Sequence, residues 1–342
     1  MQGEINVAVV GYGYWGPHMA RNISQIPGFR LAAIVDFSES RRSAASQLYT
    51  DVPTFSSLDD AINLTSLDAV VIATPTHSHY TLAVQAIESG LHAIVEKPLT
   101  TSVNLASDLA EMAFQRSLVL MVDHTYVYSP AVNQMKQYVD SGHLGDLVYF
   151  DSTRVNLGLF QPDVSVLWDL AVHDLAILSY VTGRHPVAVS ATGGRHLQAK
   201  HEAATFLTLY YEDLFFAHIN VSWLSPMKIR RTVLSGSNRT ILFDDMTADE
   251  RLRIYEAGVE QNESALLHYR LGDVQIPKIA TYEALRNELE HFRDCINQGT
   301  KSRTAAISTL GIIATLECAQ SSMDRRGEIV SIPSDDAFTT MG

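Results

Sequence analysis

Short apolar runs alternate with helical patterns along residues 5–122. The runs are rich in valine and isoleucine and are apolar at odd and even positions alike, which is typical of strands buried on both faces of a sheet. They are Ile5–Val10, Leu31–Asp36, Asp68–Thr74, His92–Glu96 and Leu118–Val122. Helical periodicity occupies residues 16–26, 39–49, 77–89 and 103–115 between them. The alternation predicts a doubly wound parallel sheet.

The pattern changes after Asp123. Helices are expected over 129–141 and 166–181, and a strand over 146–155. Strand-like runs then follow one another on connections too short for a helix, which favours antiparallel neighbours, near residues 186–196, 203–211, 214–223, 228–235 and 239–244. Two amphipathic helices, 281–298 and 304–323, close the pattern.

These patterns predict an α/β chain of two domains. The first, residues 1–123, is expected to be a Rossmann-type dinucleotide-binding domain with a doubly wound parallel sheet. The second, residues 124–342, is expected to be an α+β domain for substrate binding and oligomerisation, with a large, mostly antiparallel open sheet. The last helices could pack back on the first domain.

Composition excludes several functional classes. The chain of 342 residues is 46% hydrophobic and 18% charged, so disorder is not its organising theme. A net charge of −13 has the wrong sign for a nucleic-acid or anionic membrane surface. Two cysteines fit a reducing compartment, and no signal peptide or membrane-spanning run is visible. We expect a soluble, cytoplasmic protein, and no cysteine or histidine spacing suggests a metal site.

A glycine-rich turn follows the first strand. The sequence Gly11–Gly16 (GYGYWG) satisfies G-x-G-x-x-G, opens a helix, and has Asp36 ending the next strand. Such a turn admits a pyrophosphate close to the backbone, and an acidic residue after the second strand binds the ribose hydroxyls. The alternative is a glycine turn that binds no nucleotide. The predicted cofactor-binding residues here are Gly11, Gly13, Tyr14, Trp15, Gly16 and Asp36.

A carboxylate at Asp36 repels a 2′-phosphate and therefore favours NAD over NADP. Arg41 and Arg42 follow it closely and could receive that phosphate, or could simply be solvated.

Three more motifs end later strands or lie on a helix: ATPTHSH at residues 73–79, EKPL at 96–99 and WDLAVHD at 168–174. Together with GYGYWG, they make the chain resemble the glucose–fructose oxidoreductase/inositol dehydrogenase/MocA (Gfo/Idh/MocA) family of NAD(P)-dependent oxidoreductases. Over the whole chain it looks most similar to the branch that acts on sugars and nucleotide-linked sugars, including sugar 3-dehydrogenases.

The resemblance assigns roles to residues at the carboxyl ends of the later strands, where ligands bind in open α/β sheets. It implies that Lys97 reaches the substrate hydroxyl and that Pro98 follows a cis peptide. Lys97 could instead be a strand-end lysine whose stem covers apolar surface, and His79 a first-turn helix residue. The predicted groove residues are Thr74, Pro75, His79, Glu96 and Lys97.

Asp169 and His173 are four residues apart on one predicted helix and share a face. A carboxylate beside an imidazole fixes its tautomer and raises its basicity, as a general base for an alcohol requires. Spacing alone also fits a capping aspartate and a structural histidine, and the family pattern favours the catalytic pair. Asp174 points about 100° away around the helix and is the weaker carboxylate candidate.

Three further residues are predicted to bind substrate. Arg154 ends a strand and could grip a phosphate or carboxylate, or form an ion pair at a strand edge. Tyr126, after the domain boundary, could stack on a sugar or pack in the core, and Trp168 lies beside Asp169.

The leading hypothesis is an NAD-dependent oxidoreductase acting on a ring secondary alcohol of a sugar or nucleotide-linked sugar, with Lys97, Asp169 and His173 as catalytic residues. A ketosugar reductase, an inositol-type dehydrogenase and a non-catalytic NAD-binding sensor are the alternatives. An uncovered sheet face in the second domain predicts a homodimer or homotetramer.

Overall fold

The structure, a computed structural model, describes residues 3–158, 160–161, 163–196, 201–261 and 267–334. The chain divides into two compact units. The first contains the residues up to Tyr128 together with Glu283–Ile313. The second contains Ser129–Tyr282 and continues from Ala314.

The first unit is built on a parallel sheet. Within the described residues, this sheet has six strands in the order β3-β2-β1-β4-β5-β6. They are β1 Ile5–Val10, β2 Phe29–Val35, β3 Thr54–Phe55, β4 Ala69–Ile72, β5 His92–Glu96 and β6 Leu120–Asp123. All strand pairs in this sheet are parallel, and nearly all side chains of the central strands are buried, as the two-sided apolar runs require. The predicted Rossmann-type sheet is confirmed.

Helices connect these strands, and one helix–strand pair was not predicted. The helices are α1 Gly16–Gln25, α2 Glu39–Leu48, α3 Leu58–Leu64, α4 His79–Glu88 and α5 Val103–Gln115. The sequence pattern did not predict β3 or α3. Strand β3 has two residues, which are too few to show alternation. The start of α3 does carry a signal, because the hydroxyl of Ser57 accepts the Asp60 N–H at 3.2 Å as an N-cap.

The second unit is built on a large, mostly antiparallel sheet, also as predicted. In the part of the chain that is described, it has nine strands in the order β16-β13-β12-β11-β7-β10-β9-β8-β17. The strands, including a separate ribbon formed by β14 and β15, are β7 Leu147–Leu157, β8 Ala188–Arg195, β9 Glu202–Tyr210, β10 Phe216–Ser222, β11 Leu224–Gly236, β12 Thr240–Asp244, β13 Leu252–Tyr255, β14 Gly258–Gln261, β15 Leu267–Arg270, β16 Val274–Gln275 and β17 Val330–Ser331.

One strand pair in this sheet is parallel. Strand β7 lies between β10 and β11, and it runs parallel to β10 and antiparallel to β11. Only Trp223 separates β10 from β11 in sequence, so the chain crosses the end of β7 at this residue. Strands β10 and β11 are consecutive in sequence and run in opposite directions, but β7 separates them in the sheet.

Helices α6 Pro130–Asp140 and α7 Val172–Thr182 belong to the second unit, and a π-helical turn, Leu167–Ala171, precedes α7. The π-helical turn contacts β9 and β10, and α7 contacts β7. The opposite face of the sheet carries partly exposed aromatic side chains, of which Phe206 and Phe216 are about half exposed.

The last two helices are α8 Ala284–Gln298 and α9 Ala306–Asp324. Helix α8 packs in the first unit, where the ring of Phe292 lies 6.4 Å from that of Phe29. The segment after α8 extends the sheet edge, since Val122 N–H donates to the Thr304 carbonyl at 2.8 Å. None of the described helices is long and apolar enough to span a membrane.

Candidate functional site

The glycine turn in the first unit is shaped by close backbone contacts. Gly11 has a φ of +93°, and a Cβ there would lie 2.5 Å from the Ala73 carbonyl oxygen. A Cβ on Gly16 would collide with the Gly11 carbonyl. At Gly13 the nearest atom is 3.7 Å away, on the Arg41 side chain, so the backbone is open to a ligand there.

Asp36 lies directly beside this turn. Its Oδ2 accepts the Tyr12 N–H at 2.7 Å and its Oδ1 accepts the Ser38 N–H at 2.8 Å. The guanidinium of Arg41 is 3.5 Å from Oδ2, whereas Arg42 donates to the backbone carbonyls of Asp36 and Phe37. Both arginines are therefore engaged with the Asp36 region itself.

The N-terminus of α1 can receive an anion. No side-chain hydrogen bond caps it, and its first turn carries no acidic residue. Unsatisfied amide groups at a helix start attract phosphate. Tyr14 and Trp15 are exposed beside it, with ring centroids 5.3 Å apart in an edge-to-face arrangement. The open backbone at Gly13, the helix start and the Asp36 carboxylate together fit a dinucleotide.

His79 connects the loops that follow β4 and β5. Its ring is buried, with Nδ1 2.9 Å from the Pro98 carbonyl oxygen and Nε2 2.8 Å from the Thr74 carbonyl oxygen. The Lys97–Pro98 peptide is cis, as the resemblance implies. Thr74 in turn lies against Gly11. The structure thus brings the predicted residues Thr74, His79 and Lys97–Pro98 together with the glycine turn.

Lys97 follows a buried carboxyl group. The Glu96 side chain accepts the Lys97 backbone N–H at 3.1 Å. Burial, followed by the charge of Asp123, raises the pKa of Glu96 well above its usual range, and the Lys97 charge opposes this. Lys97 itself is half-buried at the carboxyl end of β5, whereas Pro75 is exposed.

In the second unit, the helical segment that carries WDLAVHD differs from the predicted regular helix. Asp169 lies in the π-helical turn and His173 in the first turn of α7. From Val164 to Leu178 every residue is buried except Asp169, Leu170 and His173, which are half-buried. A π-bulge within a helix is frequent at functional sites. The candidate pair therefore occupies the accessible strip of an otherwise buried segment.

Trp223 holds Asp169, a contact that the sequence analysis missed. Its buried indole Nε1–H donates to the Asp169 Oδ2 at 3.1 Å, and the ring of Phe160 lies 5.4 Å from its ring. Trp223 is the residue at which the chain crosses the end of β7. Trp223 is the last residue of a strand-like run in the sequence, but its partner depends on that crossing.

The structure shows Arg154 in the ion pair that was the alternative to substrate binding. Its Nε is 2.8 Å from the Asp174 Oδ2 and its Nη2 is 3.1 Å from Oδ1. Ser152 also donates to Asp174, at 2.8 Å. All three side chains are buried, so Asp174, set aside as the weaker catalytic carboxylate, serves here as a buried counter-ion. Substrate binding by Arg154 stays a prediction.

The remaining predicted substrate residues differ in accessibility. Tyr126 is half-buried in a 3₁₀ turn, whereas Trp168 is buried in the π-helical turn. Tyr128 is also buried, with its hydroxyl 3.2 Å from that of Thr304. Among the described residues, no group of three or more histidine, cysteine, aspartate or glutamate side chains is arranged to hold a metal ion.

Family models match both halves of the chain. Residues 5–124 match a model described as "Oxidoreductase family, NAD-binding Rossmann fold", and residues 132–242 match one described as "GFO/IDH/MocA C-terminal domain".

Individual proteins are similar over different lengths. UDP-N-acetylglucosamine 3-dehydrogenase of Acidithiobacillus ferrooxidans is 33% identical over 205 residues, which cover 59% of this chain and 62% of that protein. The chain thus spans about three fifths of that relative. The scyllo-inositol 2-dehydrogenase (NAD(+)) of Bacillus subtilis is 24% identical, with complete coverage of both chains. A levoglucosan dehydrogenase solved in complex with NADH has the same fold, with a TM-score of 0.82 at 19% identity, covering 97% of this chain and 100% of the other.

Proposed function

Because the chain belongs to the Gfo/Idh/MocA family of oxidoreductases, we propose that it is an NAD-dependent dehydrogenase acting on a secondary alcohol of a sugar ring. The observation that carries this proposal is the Asp36 carboxylate, held by the Tyr12 amide beside the glycine turn. A carboxylate in this position accepts hydrogen bonds from the ribose hydroxyls and repels a 2′-phosphate.

The residues that would hold NAD lie in the first unit. The amides of Gly13 to Gly16 and the start of α1 would take the pyrophosphate, and Asp36 the adenosine ribose. Thr74, Pro75 and His79 would border the nicotinamide side, with His79 acting through the carbonyls of Thr74 and Pro98 that it contacts. When bound, NAD supplies the hydride acceptor.

The chain's own residues would manage the proton and the orientation of the substrate. We assign the general base to His173, which takes the hydroxyl proton as the C–H bond gives up its hydride. Lys97 polarises the hydroxyl oxygen. Asp169, fixed by the Trp223 indole, orients His173. Oxidation then converts one secondary alcohol and NAD⁺ into one ketone, NADH and a proton.

The substrate class is proposed from the named relatives. One acts on UDP-N-acetylglucosamine at carbon 3, another on scyllo-inositol and a third on levoglucosan. These are cyclic polyols or sugars with ring hydroxyl groups. We therefore propose a sugar or nucleotide-linked sugar, with oxidation at C3 as the first position to test.

A substrate panel tests the proposal. The protein is incubated with NAD⁺ and nucleotide sugars, free sugars or inositols, and NADH formation is followed by absorbance. NADH formation with one class supports a dehydrogenase. NADH consumption with ketosugars alone identifies a ketosugar reductase. NADH binding with no turnover on either panel contradicts the proposal and favours a non-catalytic sensor.

Assembly and location complete the proposal. We propose a homodimer, or a tetramer made of two dimers, formed through the open sheet face that bears Phe206, Tyr149 and Phe216. The rings of the last two stack with centroids 6.0 Å apart. A reducing, cytoplasmic location is supported by the free thiols of Cys295 and Cys318.

A further inference from the structure

Three carboxyl groups are buried together in the first unit. Glu96 ends β5, Asp123 ends β6 directly opposite it, and Glu288 lies on α8. Their exposures are 7%, 2% and 0%. We call these three residues the acid row, because Asp123 lies within hydrogen-bonding reach of both Glu96 and Glu288. Lys97 is adjacent to the Glu96 end of the row.

The hydrogen bonds distinguish Glu288 from the other two members. Glu96 accepts the Lys97 N–H at 3.1 Å, and Asp123 accepts the Thr125 hydroxyl. Both carboxyl oxygens of Glu288 are buried, and neither has a hydrogen bond of regular geometry from a donor of the described residues, although the backbone N–H of His124 lies close enough to favour the charged form weakly. The side chain that faces them at hydrogen-bonding distance is that of Asp123, whose effect on Glu288 is larger than that of the His124 N–H. Two carboxyl groups can hydrogen-bond only when one of them carries a proton.

Among the described residues, the charges that act on Glu96 and Glu288 are mostly those of the row itself. Arg303 lies further away, 5.7 Å from the ring of Tyr128. Lys97 is the cation facing Glu96. His124, next to Asp123, is no counter-ion at neutral pH, because burial lowers its pKa to about 4. Tyr128 adjoins Glu288 and stays neutral, since burial raises its pKa. Burial, followed by the charges of Asp123 and Glu96, raises the pKa of Glu288 well above its usual range.

We propose that the acid row is a buried proton-holding site in which Glu288 is the neutral acid at neutral pH and donates its proton to Asp123. While Glu288 holds this proton, it adds no negative charge to the row beside Lys97. This consequence for Lys97 rests on the proposed function, whereas the location of the proton does not. Glu288 is therefore a positioning residue that acts through Asp123 and Glu96.

Infrared spectroscopy tests where the proton lies. A protonated carboxyl group has a C=O stretch that shifts in D₂O, and we expect one at pH 7 in the unmodified protein. Glu288→Gln should remove this band, because the amide still donates to Asp123 but carries no acid proton. Glu290→Gln is the matched control on the same helix. The Glu290 side chain is 34% exposed, accepts a bond from Arg286, and should not affect the band.

Unfolding as a function of pH is an independent measurement. Folded Glu288 keeps a proton that the unfolded chain releases above about pH 4.5, the ordinary value for this group. Stability from Glu288 is therefore fully present at low pH and declines as pH rises toward the raised folded pKa. As pH increases, the unfolding equilibrium constant of the unmodified protein should therefore rise relative to that of Glu288→Gln. One proton can change this constant by at most about tenfold per pH unit.

Neither measurement needs a substrate. A negative result would therefore contradict the proton location without contradicting the proposed dehydrogenase activity. The proposal is overturned if the protein lacks the protonated-carboxyl band at pH 7, or if Glu288→Gln retains it. It is also overturned if the two unfolding curves run parallel from pH 5 to 8. Should Glu288→Gln not fold, Asp123→Asn replaces it. Removal of the neighbouring charge should then shift titration of the band to lower pH, and an unchanged titration contradicts the proposal.

Discussion

The Arg154–Asp174 pair should stabilise the second unit, and Asp174→Asn tests this. The side chains are 4% and 1% exposed, with N–O distances of 2.8 and 3.1 Å. Removing one partner of a buried ion pair leaves the other charge uncompensated and costs about 3–5 kcal/mol. Asparagine keeps the shape and one carbonyl acceptor, so we expect about 3 kcal/mol of lost stability, at the lower end of that range.

A double variant separates the pair from its packing. Arg154→Met with Asp174→Leu removes both charges and fills similar volume, and such exchanges are often neutral or stabilising. Ser152 would lose its bond to Asp174 but still lies 3.2 Å from the Thr232 hydroxyl. We therefore expect the free energy of unfolding of the double variant to lie within about 1 kcal/mol of that of the unmodified protein. Because each single substitution should cost more than this, the effects of the two would not be additive.

Urea unfolding followed by tryptophan fluorescence is the assay, because Trp168 and Trp223 are both buried in the second unit. Asp213→Asn is the control. It breaks the exposed pair with Arg184 and should leave the midpoint almost unchanged. An unaltered midpoint in Asp174→Asn would refute the reasoning. Normal stability combined with a raised KM for an accepted substrate would instead identify Arg154 as a substrate ligand.

Four further outcomes are expected. The unmodified protein should bind NADH more tightly than NADPH in fluorescence titrations, and equal or stronger NADPH binding would show that Arg41 and Arg42 dominate; Asp36→Asn should narrow this preference. His173→Ala should lower kcat by ~10²–10⁴ with unchanged NADH affinity, and near-normal turnover would make Lys97 the first suspect for the base. Trp223→Phe, which removes the indole N–H from Asp169, should lower kcat roughly tenfold with little change in KM. Phe206→Glu should give a monomer in light scattering, whereas Leu214→Glu, in an exposed turn, should not.

The sequence alone was sufficient for features that depend on local pattern. Runs that are apolar at odd and even positions alike identified the buried parallel strands, because a strand covered on both faces has no polar side. The glycine turn and Asp36 were identified from spacing, because the close approaches at Gly11 and Gly16 exclude a side chain whatever the rest of the chain does.

Tertiary structure decided the features that depend on distant partners. The sequence did not identify Asp174 as the partner of Arg154, and only the fold places the two side chains together. The indole bond from Trp223 to Asp169 depends on the crossing of β7, and no pattern along the chain specifies that crossing. Likewise Glu288 lies on an amphipathic helix far along the chain, and its carboxyl group meets Asp123 only because α8 packs in the first unit. Periodicity shows which side of an element is buried, but the group it meets there is determined by the packing of segments far apart in sequence.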